Sequence, residues 1–136
     1  MEPGRKLDAL VAEKVMGWTW KDYTAGGEPA RGLFPPPPSG SFRDHDQYGY
    51  YSDDIAAAWE LVEELEARGF VVRYQTMGPK RIGRRVTIER PEESGAIYGT
   101  AEAPEAAHAI CLASLEAVGV DVTETALVER AREAGL

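Results

Sequence analysis

An α+β fold, with helices layered on a small, mainly antiparallel three-stranded sheet, is what this sequence predicts. Three observations predict it. Apolar residues recur at helical spacing in three segments, within 7–16, 52–68 and 103–118. Between the second and the third, three short stretches alternate apolar and polar residues and are joined by tight turns. The chain has 136 residues, a length for one domain. Such a sheet cannot bury its faces alone, so the helices must cover it. Helices on opposite faces would make a three-layer α/β/α sandwich; helices sharing one face would make a two-layer α+β fold.

The first segment, LDALVAEKVMGWTW, places Leu7, Leu10, Val11 and Val15 on one stripe that Trp18 extends. Asp8 near the start suits the helix dipole, and Gly17 is a natural stop. Residues 21–51 read as an irregular insertion rich in Gly, Pro and Ser, with Pro35–Pro38 forming a short polyproline II run. SDDIAAAWELVEELEARG is the clearest helix. Ser52 is its expected N-cap, and Ile55, Ala58, Trp59, Val62 and Leu65 form its expected buried stripe. Glu60, Glu63, Glu64 and Glu66 face out, and Gly69 ends it. FVVRYQT, RVTIER and AIYGT then read as three strands, with Phe70, Val72 and Tyr74 on one face and Val86 and Ile88 facing in. The turns between them, MGPKRIG and PEESG, imply an antiparallel meander. Pro104 opens the third helix, whose wide apolar face of Ile110, Cys111, Leu112, Leu115 and Val118 predicts deep burial. One sandwich domain over 1–122 is therefore expected, followed by a short helix over 123–136 that either docks or makes an oligomer contact through Leu127 and Val128.

Composition narrows the classes of function. The longest apolar run falls short of the ~18 residues that cross a bilayer, and MEPGRKLDAL lacks a signal-peptide pattern. The single cysteine, Cys111, allows no internal disulfide and fits a reducing cytoplasm as a buried thiol. A net charge of −8 argues against binding long nucleic acid. The charge is uneven, however. Residues 70–90 carry six basic side chains against Glu89 alone, a local +5, so the remainder sums to −13.

LDALVAEKVMGW, YSDDIAAAWELVEEL and AEAPEAAHAICLASLEAVG, in that order around the strand region, resemble the phage ABA sandwich domain family, small proteins of tailed phages and prophages. The resemblance covers residues 7–18, 50–70 and 101–119 and implies an α/β/α arrangement in the cytoplasm of an infected host. It implies no activity and no cofactor. Residues 21–49 and the tail after Val120 follow no pattern associated with the family.

Candidate chemistry is sparse. Asp44, His45 and Asp46 adjoin one another, a spacing that fits a solvated turn better than a metal site. GPKRIGRR lacks the spacing of a phosphate-binding loop. Nothing supports an enzyme. The best candidate site is the basic hairpin of Lys80, Arg81, Arg84 and Arg85, whose guanidinium forks suit phosphate, closed by Trp20 or Tyr50. It predicts a nucleotide-like anionic ligand, sequestered as a signal of host immunity. The competing expectation is a host protein bound by the acidic helix at 53–66 or by the proline loop. In either case a homo-oligomer is expected.

Overall fold

A computed structural model describes residues 3–36, 45–76, 84–90 and 96–120. Along the chain run α1 (Arg5–Lys14), β1 (Thr19–Ala25), β2 (Glu28–Phe34), α2 (Ile55–Ala67), β3 (Val71–Thr76), β4 (Arg84–Arg90), β5 (Ala96–Ala103) and α3 (Ala106–Ala117). The three-stranded sheet is the expected antiparallel meander β3-β4-β5. The fold class is α+β, as predicted. The expected turns at 77–83 and 91–95 and the helix over 123–136 lie outside the described residues, as do Pro37 and Pro38 of the proline run.

Within the irregular stretch read from the sequence, residues 19–34 instead form a β-hairpin. Ala25 pairs with Glu28 across a two-residue turn of Gly26 and Gly27. Both glycines have positive φ, 57° and 85°, the conformation that lets a two-residue turn match the twist of its strands. Because the sheet has only these two strands among the described residues, Pro29 interrupts nothing on its open edge. The density of glycine and proline resembled a loop, while the Gly-Gly pair between two extended runs was the overlooked signal.

Helix α3 is the centre of the core. It packs on β4 and β5, and both α1 and α2 pack on it. Ala109, Ala113 and Ala117, four residues apart, are all buried on this helix. Their small size admits a close backbone approach. A Cβ at Gly99 of β5 would stand 2.3 Å from the Ala113 carbonyl oxygen and 2.9 Å from the Ala117 nitrogen. Val86 and Ile88 face this layer and are fully buried, as the alternation predicts. A bulge between Ile88 and Glu89 shifts the register so that Ile88 faces Gly99 and Glu89 faces Ile97. Tyr98 lies between these pairings and meets Phe70 edge-on at 5.6 Å.

One end-of-helix reading needs correction. Ser52 does not cap α2; that role falls to Asp54, whose carboxylate accepts from the Ala56 amide at 3.0 Å. Ser52 is buried, with Asp8, in a polar node that ties the chain before α2 to α1. Asp8 Oδ1 accepts from the Ser52 amide at 2.8 Å and from its hydroxyl at 2.7 Å. Asp8 Oδ2 pairs with Arg5 at 3.0 Å, and the Ser52 hydroxyl accepts from the Gly4 amide at 2.8 Å. Arg5 also donates to the carbonyls of Tyr48 and Gly49. A buried carboxylate must be satisfied in this way, because its desolvation is otherwise costly. Asp8 lies in the first turn of α1, where its charge suits the helix dipole as expected, and it is also an interior acceptor.

Candidate functional site

The helical stripe of α2 is buried at Ala58, Leu61, Val62 and Leu65. The stripe covers one side of the helix and leaves the adjacent flank, with Ile55 and Trp59 one turn apart on it, uncovered. Trp59 and Ile55, expected in the core, are 49% and 50% exposed, and Tyr74 at the matching end of β3 is 42% exposed. The helix is as expected but its buried stripe is narrower than predicted: Ala58 is fully buried in the same turn as Trp59, so Trp59 is exposed by its angle around the helix and not by its position along it. These side chains, with Ala56 and Ala106, line an open groove of about 500 Å³ rimmed by Glu60 and Glu63. Its wall is mostly apolar, and its size falls within the range of small-ligand and side-chain pockets. Glu60 and Glu63 are exposed, one helical turn apart, and neither forms an ion pair among the described residues.

The basic segment looks different. Lys80 and Arg81 lie outside the described residues. Arg84 and Arg85 begin β4. Arg85 sits opposite Glu102 of β5 and donates to its Oε1 through Nε at 2.9 Å and through a terminal nitrogen at 2.6 Å. Arg73 pairs with Glu89 on the neighbouring strand at 3.2 Å. Arg90 lies 4.4 Å over the Phe70 ring. Much of the local +5 therefore meets partners within the sheet, and Arg84 too is engaged.

The two aromatics expected to close on a ligand are each held by their own neighbours. Trp20 is partly buried; its indole N–H donates to Glu13 Oε2 at 2.6 Å, and Arg31 lies 5.3 Å over its ring. Tyr50 is 60% exposed, with the Arg5 guanidinium 4.1 Å from its ring centre. Arg5 lies 4.2 Å from the Tyr48 ring as well. These contacts join Trp20 to α1 and β2 and Tyr50 to the start of α1, and neither set includes a β4 arginine.

Of the remaining candidates, Asp44 lies outside the described residues, and His45 and Asp46 make structural contacts. His45 stacks on Phe34 at 5.7 Å and meets Tyr23 edge-on at 5.0 Å. Asp46 accepts from the Leu33 amide at 2.7 Å and holds a positive φ of 58°. Among the described residues no cluster of three His, Cys, Asp or Glu side chains could hold a metal. Cys111 is buried as expected, and its desolvation, with Asp8 and Asp53 nearby, pushes the thiol pKa well above the ordinary value. Burial likewise raises the phenols of Tyr48 and Tyr51. Among the described residues no helix is long and apolar enough to cross a membrane.

The sequence did point to the acidic helix as one alternative surface, but it assigned Trp59 to the core. The pattern of a tryptophan at the edge of the stripe, followed by Glu60 and Glu63, was the available signal.

Comparison with curated proteins and with solved structures returns no match. The model of the phage ABA sandwich domain matches residues 9–115, most of the chain and nearly all of the described fold. The α+β architecture agrees with the sandwich that the family's description names. This chain belongs to the phage ABA sandwich domain family.

Proposed function

We propose that this is a non-enzymatic phage accessory protein that works by binding a host protein through the outer flank of α2. One observation carries the reading: Ile55, Trp59 and Tyr74 stand exposed around an apolar groove instead of completing the core. Exposed aromatic and aliphatic side chains gathered in one concavity are the usual anchors of a protein interface. On this reading the protein acts in the host cytoplasm, without a cofactor, and interferes with its target by occupancy, as a form of counter-defence. A photoreactive amino acid at Ala56, on the groove wall, should yield a covalent adduct with a host protein in infected cells. The same group at Glu66, on α2 but outside the groove, should not. Equal labelling from both positions, or from neither, would overturn the reading.

Sequestration of a nucleotide by Lys80, Arg81, Arg84 and Arg85 with Trp20 and Tyr50 ranks second. The local +5 favours it, but Arg85 would have to leave Glu102, and Trp20 would have to leave Glu13. Titration with cyclic and linear nucleotides, wild type beside a variant with Arg84→Glu and Arg85→Glu, decides it: heat from the wild type alone would reverse the order of the two readings.

A further inference from the structure

We infer that the groove of α2 receives a cationic amphipathic segment of its partner: one large apolar side chain entering between Trp59 and Tyr74, and an arginine or lysine beside it on Glu60 and Glu63. This inference rests on the protein-binding reading above and specifies the chemistry of the occupant. The lining residues contain no basic side chain; they comprise Ile55, Ala56, Trp59, Tyr74 and Ala106 with the two glutamates. An anionic ligand would therefore meet only repulsion there, and so would nucleic acid or an anionic membrane. Glu60 and Glu63 stand one turn apart on a rigid helix, so their carboxylates share one side of the groove. Both are exposed and lack ion-pair partners among the described residues, so a cation can reach them without displacing an existing pair. The chain's net −8 extends the same preference to longer range and speeds encounter with a positive partner.

The aromatic residues reinforce the charge argument. The exposed faces of Trp59 and Tyr74 suit a guanidinium as well as an apolar side chain. The protein already uses that contact internally, with Arg5 against Tyr48 and Tyr50 and Arg90 over Phe70. A purely apolar occupant would gain from the wall but leave the two carboxylates unused. A cationic amphipathic segment satisfies both halves of the lining.

The test is selection of a displayed random 12-residue peptide library on the full chain, followed by titration of the enriched peptides in synthetic form. The expected result is enrichment of peptides that pair an aromatic or aliphatic residue with arginine or lysine. Their affinity should fall at least about thirtyfold on Trp59→Ser, the loss typical of an interface anchor. Glu60→Gln and Glu63→Gln should each weaken binding about two- to fivefold, with the effect shrinking at high salt. Exchanging the basic residues of a peptide for glutamate should abolish binding. Enriched peptides without basic residues, binding indifferent to Trp59→Ser, or no enrichment at all would overturn the inference. If the Ala56 adduct forms in infected cells while no basic peptide binds, the cationic occupant is wrong and the protein-binding reading stands. If basic peptides bind while the adduct never forms, the host-protein reading falls and the chemistry of the groove remains. A dimer in solution that dissociates on Glu60→Lys would assign the groove to a second copy of this chain and overturn the inference.

Discussion

The arginines of β4 and the glutamates of α2 are the two conspicuous charged runs of this chain, and the fold uses them in opposite ways. Arg85 faces Glu102 directly across the sheet and is bonded to it twice. Glu60 and Glu63 stand over an apolar groove and form no ion pair among the described residues. In the sequence the basic run looks like the site, because it is locally unbalanced in an acidic protein. In the folded chain the acidic run is the better candidate. A charged run becomes a site where the fold leaves it unpaired beside apolar surface, since only there can a partner gain both desolvation and charge contact.

Mutation of the two flanks of α2 tests that contrast most strongly. Leu61→Ala on the buried flank should cost about 2–5 kcal/mol of stability, because it removes a fully enclosed side chain. Trp59→Ser on the half-exposed flank should cost less, about 1–2 kcal/mol, because about half of its surface is already in water. Denaturant unfolding of both variants gives the answer, and a Trp59 variant as unstable as Leu61→Ala would return Trp59 to the core and remove the groove.

Next in size is Gly99→Ala, which sharpens the contrast from the sheet side. The added methyl meets the backbone of α3 at Ala113 and Ala117, where no side chain can rotate away. A loss of about 3 kcal/mol is expected in the same assay, at the upper end of overpacking costs. A neutral substitution would mean that β5 does not lie against α3 as described, and the position of Glu102 beside Arg85 would be in doubt.

Arg85→Ala should change stability by no more than about 1 kcal/mol, because both partners of its ion pair are partly exposed and screened. A double-mutant cycle with Glu102→Ala should return a small coupling that fades with salt. Zero coupling at low salt would free Arg85 for a ligand and revive the anion-binding reading.

The smallest effect is a pH dependence. The thiol of Cys111 is held above its ordinary range by burial, so the folded state keeps its proton after the unfolded chain has lost it. The stability this confers is fully present below the ordinary thiol range and is lost as pH rises from there toward the raised folded value. Tyr48 and Tyr51 shift the same way and extend the decline at higher pH. Melting temperatures of wild type and Cys111→Ala, measured from neutral to alkaline pH, should converge; a gap that widens with pH would contradict the buried neutral thiol.

Among the described residues, the three helices and three of the five strands were legible in the sequence because each rests on a local period. Val86 and Ile88 alternate, the apolar face of α3 recurs at helical spacing, and Gly69 and Gly119, both with positive φ, mark the helix ends. The hairpin β1–β2 was misread because its glycines and prolines outweighed the single Gly-Gly turn that defines it. The candidate site depended on what period alone cannot supply. A helical stripe gives the angles at which Ile55 and Trp59 point, but not how wide around α2 the neighbouring layer reaches. Only the packed structure leaves that edge of the stripe uncovered beside Tyr74. Contacts distant in sequence decided the rest. Asp8 meets Ser52 44 residues away, and Arg85 meets Glu102 17 residues away. The sequence by itself determined the three helices, the meander β3–β4–β5, the burial of Cys111 and the acidic field. The tertiary structure decided which charges are neutralised and which remain available, because a Coulomb interaction depends on the separation of two groups in space and not on their separation along the chain.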